Sequence, residues 1–357
     1  MGLLKLEWRY LTKLGGNSMS RIQELLEDKT DQIDYEKLIQ QHPWVVEKNQ
    51  NCIVSPDSDG LLCGLLMSHY LDWKIVGFYD GKVLLAKNDI DCKSAIFLDI
   101  EIFRKNIKSM GHHMLLYNRN KKPDNWANFK NCVQPNNIRD YDVSKYFRLK
   151  YPLATVHMLM GILSSKMKIE VPESAICPLL FTDGTYNVLF KYPENVLNWL
   201  NFLRAYEKNN SLKQVFENKT YSVFSLMNAM DEFFRMRDEI SIPNQRGDRL
   251  RISTPKGEPY NLSKNSDGTY NLDEDAKRRI IKFIELLSSL TGWKYLSNNW
   301  MWEDYDLYRF TKKDFSGGGK RLNNKTFNEF IHEEPLSWAA TSGQNIEYTL
   351  EKPDTLL

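Results

Sequence analysis

Cysteine is scarce in this chain of 357 residues: there are five, an odd number, and Cys52, Cys63, Cys92, Cys132 and Cys177 contain no C-x-x-C pair. That pattern excludes a disulfide framework and predicts reduced, mostly buried thiols in a cytoplasmic setting. Long hydrophobic runs are missing too. No apolar stretch approaches the roughly 18 residues of a membrane span, and the first residues lack a signal-peptide core, so no membrane partner is expected. An excess of one charge is also absent, since 48 Lys and Arg face 46 Asp and Glu for a formal net charge of +2. No strong field therefore argues for or against nucleic acid, and any cationic surface must be local. No internal repeat or low-complexity tract appears. What remains is globular in composition, 42% hydrophobic and 26% charged, and its length predicts more than one domain.

The stretch that organises the rest is Cys52 to Gly64, C-I-V-S-P-D-S-D-G-L-L-C-G. A short apolar run, Cys52 to Val54, stops at Ser55 and Pro56, and Gly60 opens an amphipathic segment reaching about Tyr70. The spacing predicts a strand, a tight turn and a helix. Asp57 and Asp59 then sit past the carboxyl end of a strand, where open α/β sheets place their ligands. Alternating carboxylates there suit hard divalent cations, although P-D-S-D-G is also ordinary turn chemistry.

Strands are predicted at Lys74 to Phe78, Val83 to Ala86 and Ser94 to Leu98, the last ending on Asp99. Glu101 to Lys108 reads as a short helix. Ser109 to Tyr117 then carries His112 and His113 ahead of an apolar run, in a chain with six histidines. In extended backbone neighbours face opposite ways, so one ring can face a metal and the other a substrate; a solvated turn holding both explains the same pair. Asn118 to Asn137 reads as a polar surface loop, and Tyr151 to Met167 as a helix. A further apolar run, Ile176 to Phe181, closes on Thr182, Asp183 and Gly184.

In the second half, Pro193 to Lys208, Tyr221 to Met236 and Asp273 to Thr291 have helical spacing, and the polar stretch from Pro243 to Gly268 reads as a linker or hairpin. Trp300, Trp302, Tyr305, Tyr308 and Phe310 precede Lys312, Lys313, Lys320, Arg321 and Lys325. Aromatics beside basic residues suit single-stranded nucleic acid, but core packing with a solvated basic face is the better account of the same letters. The loop S-G-G-G-K, Ser316 to Lys320, offers backbone amides to a phosphate.

Together these pieces resemble the DHH phosphoesterase superfamily, which includes RecJ-type exonucleases, oligoribonuclease and cyclic-dinucleotide phosphodiesterases and family II pyrophosphatases. That family has a P-D-x-D turn after its first strand, a lone Asp ending another strand, a DHH triplet, a helix and a T-D motif, all converging on manganese. Here Asp57 and Asp59, then Asp99, then Gly111, His112 and His113, and finally Asp183 follow that order, over about Cys52 to Leu203. The resemblance implies an α/β fold: a mostly parallel sheet flanked by helices, with a second, mainly helical domain. Its segments would be 1–50, an N-terminal helical part, 51–207, the metal-binding domain, and 208–357.

It further implies that Asp57, Asp59, Asp99, His112 and Asp183 hold one or two manganese ions, with Asp99 bridging. His113 would contact a substrate phosphate, so that these six residues form the catalytic set. Ser316, Lys320 and Arg321 would join His113 in substrate binding, S-G-G-G-K faintly resembling the G-G-G-H of the family's substrate domain. Three departures stand out. Gly111 replaces the triplet's Asp, removing an acceptor that would orient a histidine. Ile53 and Ser55 stand where many members carry further ligands. Only thirteen positions separate Asp99 from His112. The implied activity is metal-dependent hydrolysis of a phosphodiester in a short single-stranded nucleic acid or a nucleotide second messenger. The alternatives are a catalytically inactive protein of the same fold that binds nucleotide or nucleic acid, and a module that meets a protein partner through its C-terminal half.

Overall fold

The computed structural model describes residues 25–26, 30–116, 118–242, 247–314, 334–340, 346–351 and 357. Its centre is a set of short apolar strands, β1 (Asn51–Val54), β2 (Lys74–Tyr79), β3 (Val83–Lys87), β4 (Ile96–Leu98), β5 (Lys108–Met110) and β6 (Cys132–Val133). The C-terminal half adds β7 (Leu262–Lys264), β8 (Tyr270–Leu272) and β9 (Tyr305–Arg309). All nine form one sheet in the order β6-β5-β4-β1-β2-β3-β9-β8-β7. From β6 to β2 the neighbours are parallel, and from β2 to β7 they are antiparallel.

This order places the site. From β1 the chain crosses through helix α2 to β2 on one side, whereas β4, β5 and β6 are laid down on the other. The winding direction therefore reverses between β1 and β4, which opens a crevice outside their carboxyl ends. Strands covered on both faces should be apolar throughout. Accordingly Cys52, Ile53, Val54, Ile96, Phe97 and Leu98 are all fully buried. Cys52 and Val54 enter the larger apolar cluster, and Ile53, pointing the other way, enters a smaller one with Val76, Tyr79 and Phe97.

The helices on the larger face include α1 (Tyr35–Gln41), α2 (Ser58–Leu71), α3 (Thr155–Ser164), α4 (Ile176–Phe181), α5 (Thr185–Lys191), α6 (Pro193–Phe202), α7 (Val223–Ile240) and α8 (Glu274–Thr291). Leu62 and Leu66 of α2 share one apolar cluster with Phe233 of α7, Phe283 and Leu287 of α8, and Tyr305 of β9. A separate, mainly helical second domain is therefore not seen among the described residues. A three-stranded antiparallel sheet, β10 (Thr311–Asp314), β12 (Ile346–Leu350) and β11 (Ser337–Ala340), lies beyond β9. No helix among the described residues is long and apolar enough to cross a membrane.

Several local expectations are corrected. Residues 101–107 form no helix but run irregularly into β5, because Glu101 turns inward to accept the amides of His113 and Met114. The polar stretch 118–137 is more than a surface loop: Phe129, Cys132 and Val133 are buried, and β6 closes one edge of the sheet. Of the two readings of the 243–268 stretch, the hairpin holds, since it opens the β7–β8 pair, and Leu250 donates its amide to the Pro56 carbonyl at 2.8 Å beside the end of β1. Core packing of the aromatic cluster, by contrast, is as expected: Trp300 and Tyr305 are buried, and Trp302 stacks on Trp300 and Phe78. Ser316, Lys320, Arg321 and Lys325 lie outside the described residues.

The turn from β1 into α2 leaves no space for a side chain at Gly60. A Cβ there would lie 2.2 Å from the Ser55 carbonyl oxygen, which is backbone and cannot swing aside. Gly60→Ala is expected to cost about 2–3 kcal/mol of stability through overpacking, despite the better helix propensity of Ala. Urea denaturation checks this, and an unchanged midpoint would contradict the close approach.

Candidate metal centre

The expected site residues converge from distant parts of the chain, each held by a different device. Asp57 caps α2. Asp59 is fully buried one turn in, and its Oδ2 and Oδ1 accept the amides of Thr155 and Val156 at 2.6 and 3.0 Å. These are among the orphan donors at the start of α3, so Asp59 fastens one helix to the end of another. Asp99 follows β4 with φ at 60°, and Asp183 sits between α4 and α5 with φ at 50°. Both occupy the left-handed region, which Asp tolerates better than most residues. A contact of 3.2 Å between the Ser58 and Thr182 hydroxyls holds the Asp183 turn against α2.

His112 is the meeting point. Its Nε2 lies 2.9 Å from Asp183 Oδ2, and its Nδ1 lies 3.8 Å from Asp99 Oδ1 and 4.0 Å from Asp59 Oδ2. One ligand atom each from Asp99, His112, His113 and Asp183 fall within 4.8 Å of one another. His113, read as a substrate contact, thus also stands in the cluster, its ring centroid 4.0 Å from that of His112. Asp59 lies alongside with both oxygens already engaged by α3. Asp57 reaches the group only through Ser55.

Counting protons shows what this arrangement demands. Ser55 Oγ lies 2.6 Å from Asp99 Oδ2 and 2.8 Å from Asp57 Oδ1, yet a hydroxyl has one proton to give. The second contact needs a proton on a carboxyl group. Thr155 Oγ1 donates to Asp99 Oδ1 at 2.7 Å and therefore accepts from His112 Nδ1 at 2.8 Å. That assigns the hydrogen to Nδ1 and leaves Nε2 to meet Asp183 across a proton or a cation. Burial, then the charges of Asp59, Asp57 and Asp183, push Asp99 well above the ordinary carboxylate range. Burial and then Asp183 push Asp59 up to about 6. Burial also opposes the charge of Asp183, but the hydrogen bond and charge of His112 outweigh it and hold this carboxyl below its usual range.

Carboxylates this crowded stay ionised together only around a cation. The donors, carboxylate oxygens and an imidazole nitrogen whose other nitrogen is anchored by Thr155, could hold a divalent metal ion. Ile53, facing away into the second apolar cluster, cannot add to them.

The acceptor expected to be lost with Gly111 is supplied from elsewhere. Glu101 is buried, its Oε1 accepts the amides of His113 and Met114 at 2.6 and 2.8 Å, and its Oε2 lies 3.8 Å from His113 Nδ1. A Cβ at position 111 would lie 2.6 Å from this carboxylate, so glycine there is what lets Glu101 in. Burial opposes the cation on His113, but its hydrogen bond and ion pair with Glu101 prevail and push its pKa up to about 9. Solvent in the cleft screens the pair, since the His113 side chain is 41% exposed. Glu101 is lowered in return: burial raises it, and the hydrogen bond and charge of His113 outweigh that.

A cleft of about 670 Å³ opens onto Asp57, Asp99, Glu101 and His113, with Lys82, Arg249, Arg251 and Lys312 among its other walls. Reading 243–268 as a linker or hairpin missed its basic character, although R-G-D-R-L-R at 246–251, three arginines in six residues, was a local signal. Compared with known proteins, the chain matches no family model, no curated protein and no solved structure.

In metal-free protein, Asp59 at about 6 and the raised Asp99 keep protons that the unfolded chain releases near 3.8. The folded state therefore holds more protons between about pH 4.5 and 6, and stability should fall as pH rises through that window, by about 1–3 kcal/mol. Glu101 and Asp183, both lowered, oppose this at the acidic end, where their unfolded carboxyls still hold part of a proton, and His113, raised, adds to the decline towards pH 6; the two raised carboxyls outweigh the opposing pair. Thermal melts in chelator should show the melting temperature declining over this range and manganese restoring it most at the alkaline end; a rise would contradict the protonated cluster. Separately, Gly111→Ala should cost about 1–3 kcal/mol. Combined with Glu101→Ala it should cost at least about 1 kcal/mol less than the sum of the single changes, which a double-mutant cycle measures. Additive losses would show that residue 111 does not press on Glu101.

Proposed function

We propose that the chain is a metal-dependent phosphoesterase of the DHH type, using manganese to hydrolyse a phosphodiester in a short single-stranded nucleic acid or a nucleotide second messenger. One observation carries this reading: Asp99, His112, His113 and Asp183 crowd together at the sheet's switch point, beside a cleft whose lining includes Lys82, Arg249, Arg251 and Lys312. Asp59, Asp99, His112 and Asp183 would hold one ion, and Asp57 with Asp99 a second. When bound, such ions supply an activated water and offset the charge of the scissile phosphate. The protein's own part is positional. Thr155 and Ser55 orient Asp99, the α3 amides fix Asp59, and His113, kept cationic by Glu101, presents a donor to a phosphate oxygen in the cleft.

A second reading has its own support. Asp57 is shared between Ser55 and Arg249, and with Ile53 and Ser55 in place of further ligands the second ion would have two carboxylates. That favours a protein that binds a nucleotide or nucleic acid without cleaving it. A protein partner through the C-terminal half would find Val223, Phe224 and Met227 exposed at the start of α7.

Turnover of single strands, linear dinucleotides and cyclic dinucleotides with added manganese separates these readings. The enzyme should cleave at least one of them, and Asp99→Asn and Asp183→Asn should each lower kcat by about a thousandfold or more, as loss of a metal ligand does. Manganese bound tightly with no member cleaved would favour the binder. Absence of manganese binding would remove the metal centre altogether.

A further inference from the structure

Arg249 belongs to none of the residues that motif and order bring to the centre, yet it touches one of them. Its side chain lines the cleft with Asp57, Asp99 and His113, is 52% exposed, and meets Asp57 Oδ2 at 3.2 Å. The backbone that carries it is pinned beside β1. Leu250 donates its amide to the Pro56 carbonyl at 2.8 Å, Ser253 donates to the Asp80 carboxylate, and Lys82 Nζ donates to the Thr254 carbonyl at 2.9 Å. The guanidinium is thus tethered at its base and free to turn at its tip. Its partner has a competing use, because Asp57 is one of the cleft-lining carboxylates that a cation would take.

We propose that Arg249 is a phosphate-binding residue that rests on Asp57 in the ligand-free protein and is handed to the ligand's phosphate when a divalent cation takes Asp57. The proposal rests on the metal centre of the reading above and names what lies opposite it. An exposed ion pair is weak, so the exchange costs little. The planar guanidinium fork matches two phosphate oxygens as it matches a carboxylate, so it has an equivalent partner to turn to. Cation and phosphate loading then become linked in both directions: a cation on Asp57 frees the guanidinium, and a phosphate that draws the guanidinium away frees Asp57. The ligand class is a phosphate ester with two unesterified oxygens turned toward the 247–255 wall, in a monoester or a diester.

The test is calorimetric titration of the full chain with manganese alone, then with adenosine 5′-monophosphate at saturating manganese, for wild type, Arg249→Gln and Arg249→Lys. Arg249→Gln should bind manganese about two- to fivefold tighter, the weight of an exposed ion pair. It should bind the nucleotide about tenfold or more weakly and lose the enhancement of manganese affinity that the nucleotide gives wild type. Arg249→Lys should keep wild-type manganese affinity and still bind the nucleotide poorly, since a point charge replaces the fork. Unchanged manganese affinity in Arg249→Gln, or nucleotide affinity equal to wild type, overturns the proposal alone. A wild-type protein that binds no manganese overturns it together with the metal centre.

Discussion

Asp99 is the group on which the arrangement of the site depends. It ends β4 where the sheet reverses direction, so it faces the end of β1 and the start of α3 at once. Its two oxygens take hydroxyl contacts from Ser55 and Thr155. Through Ser55 it is tied to the Asp57 turn, and through Thr155 to His112 and to the helix end that Asp59 caps. The same position burdens it, since it lies buried among Asp59, Asp57 and Asp183. A carboxylate so placed needs a proton or a cation, and the surrounding structure supplies the framework for either.

Much of this was legible in the sequence because its determinants are local. An apolar run stopped by Ser55 and Pro56, with carboxylates two apart and a glycine opening the next segment, specifies strand, turn and cap within about ten residues. Asp99 was legible for the same reason, closing a short apolar run, whereas His112 was legible only as one of two adjacent histidines ahead of another. What was not legible depends on space rather than on neighbours in the chain. Glu101 reads as the first residue of a helix, and only the inward turn toward the amides after His112 shows that it is a buried acceptor. Gly111 reads as a lost ligand until the carboxylate filling its missing side chain is seen.

The second half shows the same limit. The helical periodicities of α6, α7 and α8 were correct in kind, but periodicity says nothing about which core a helix joins. Strands β7, β8 and β9 are short and partly polar, and they extend a sheet begun some two hundred residues earlier. Arg249 follows from this: the stretch before β7 must pass the end of β1 to reach the sheet's far edge, and that route lays a basic segment over the crevice.

A consequence for stability follows from Asp59. Its oxygens accept the first amides of α3, while its own backbone lies in the first turn of α2, so the two central helices meet through a carboxylate inside the candidate metal centre. Protonating that carboxylate leaves one oxygen a poorer acceptor and weakens its hold on α3. Leaving it ionised without a nearby cation imposes the cost of a buried charge. Neither state satisfies both the helix end and the buried environment. A divalent ion beside it would relieve the charge while leaving both amides bonded, so the arrangement links ion occupancy to the packing of α2 against α3 and makes the core itself responsive to the chemistry at its edge.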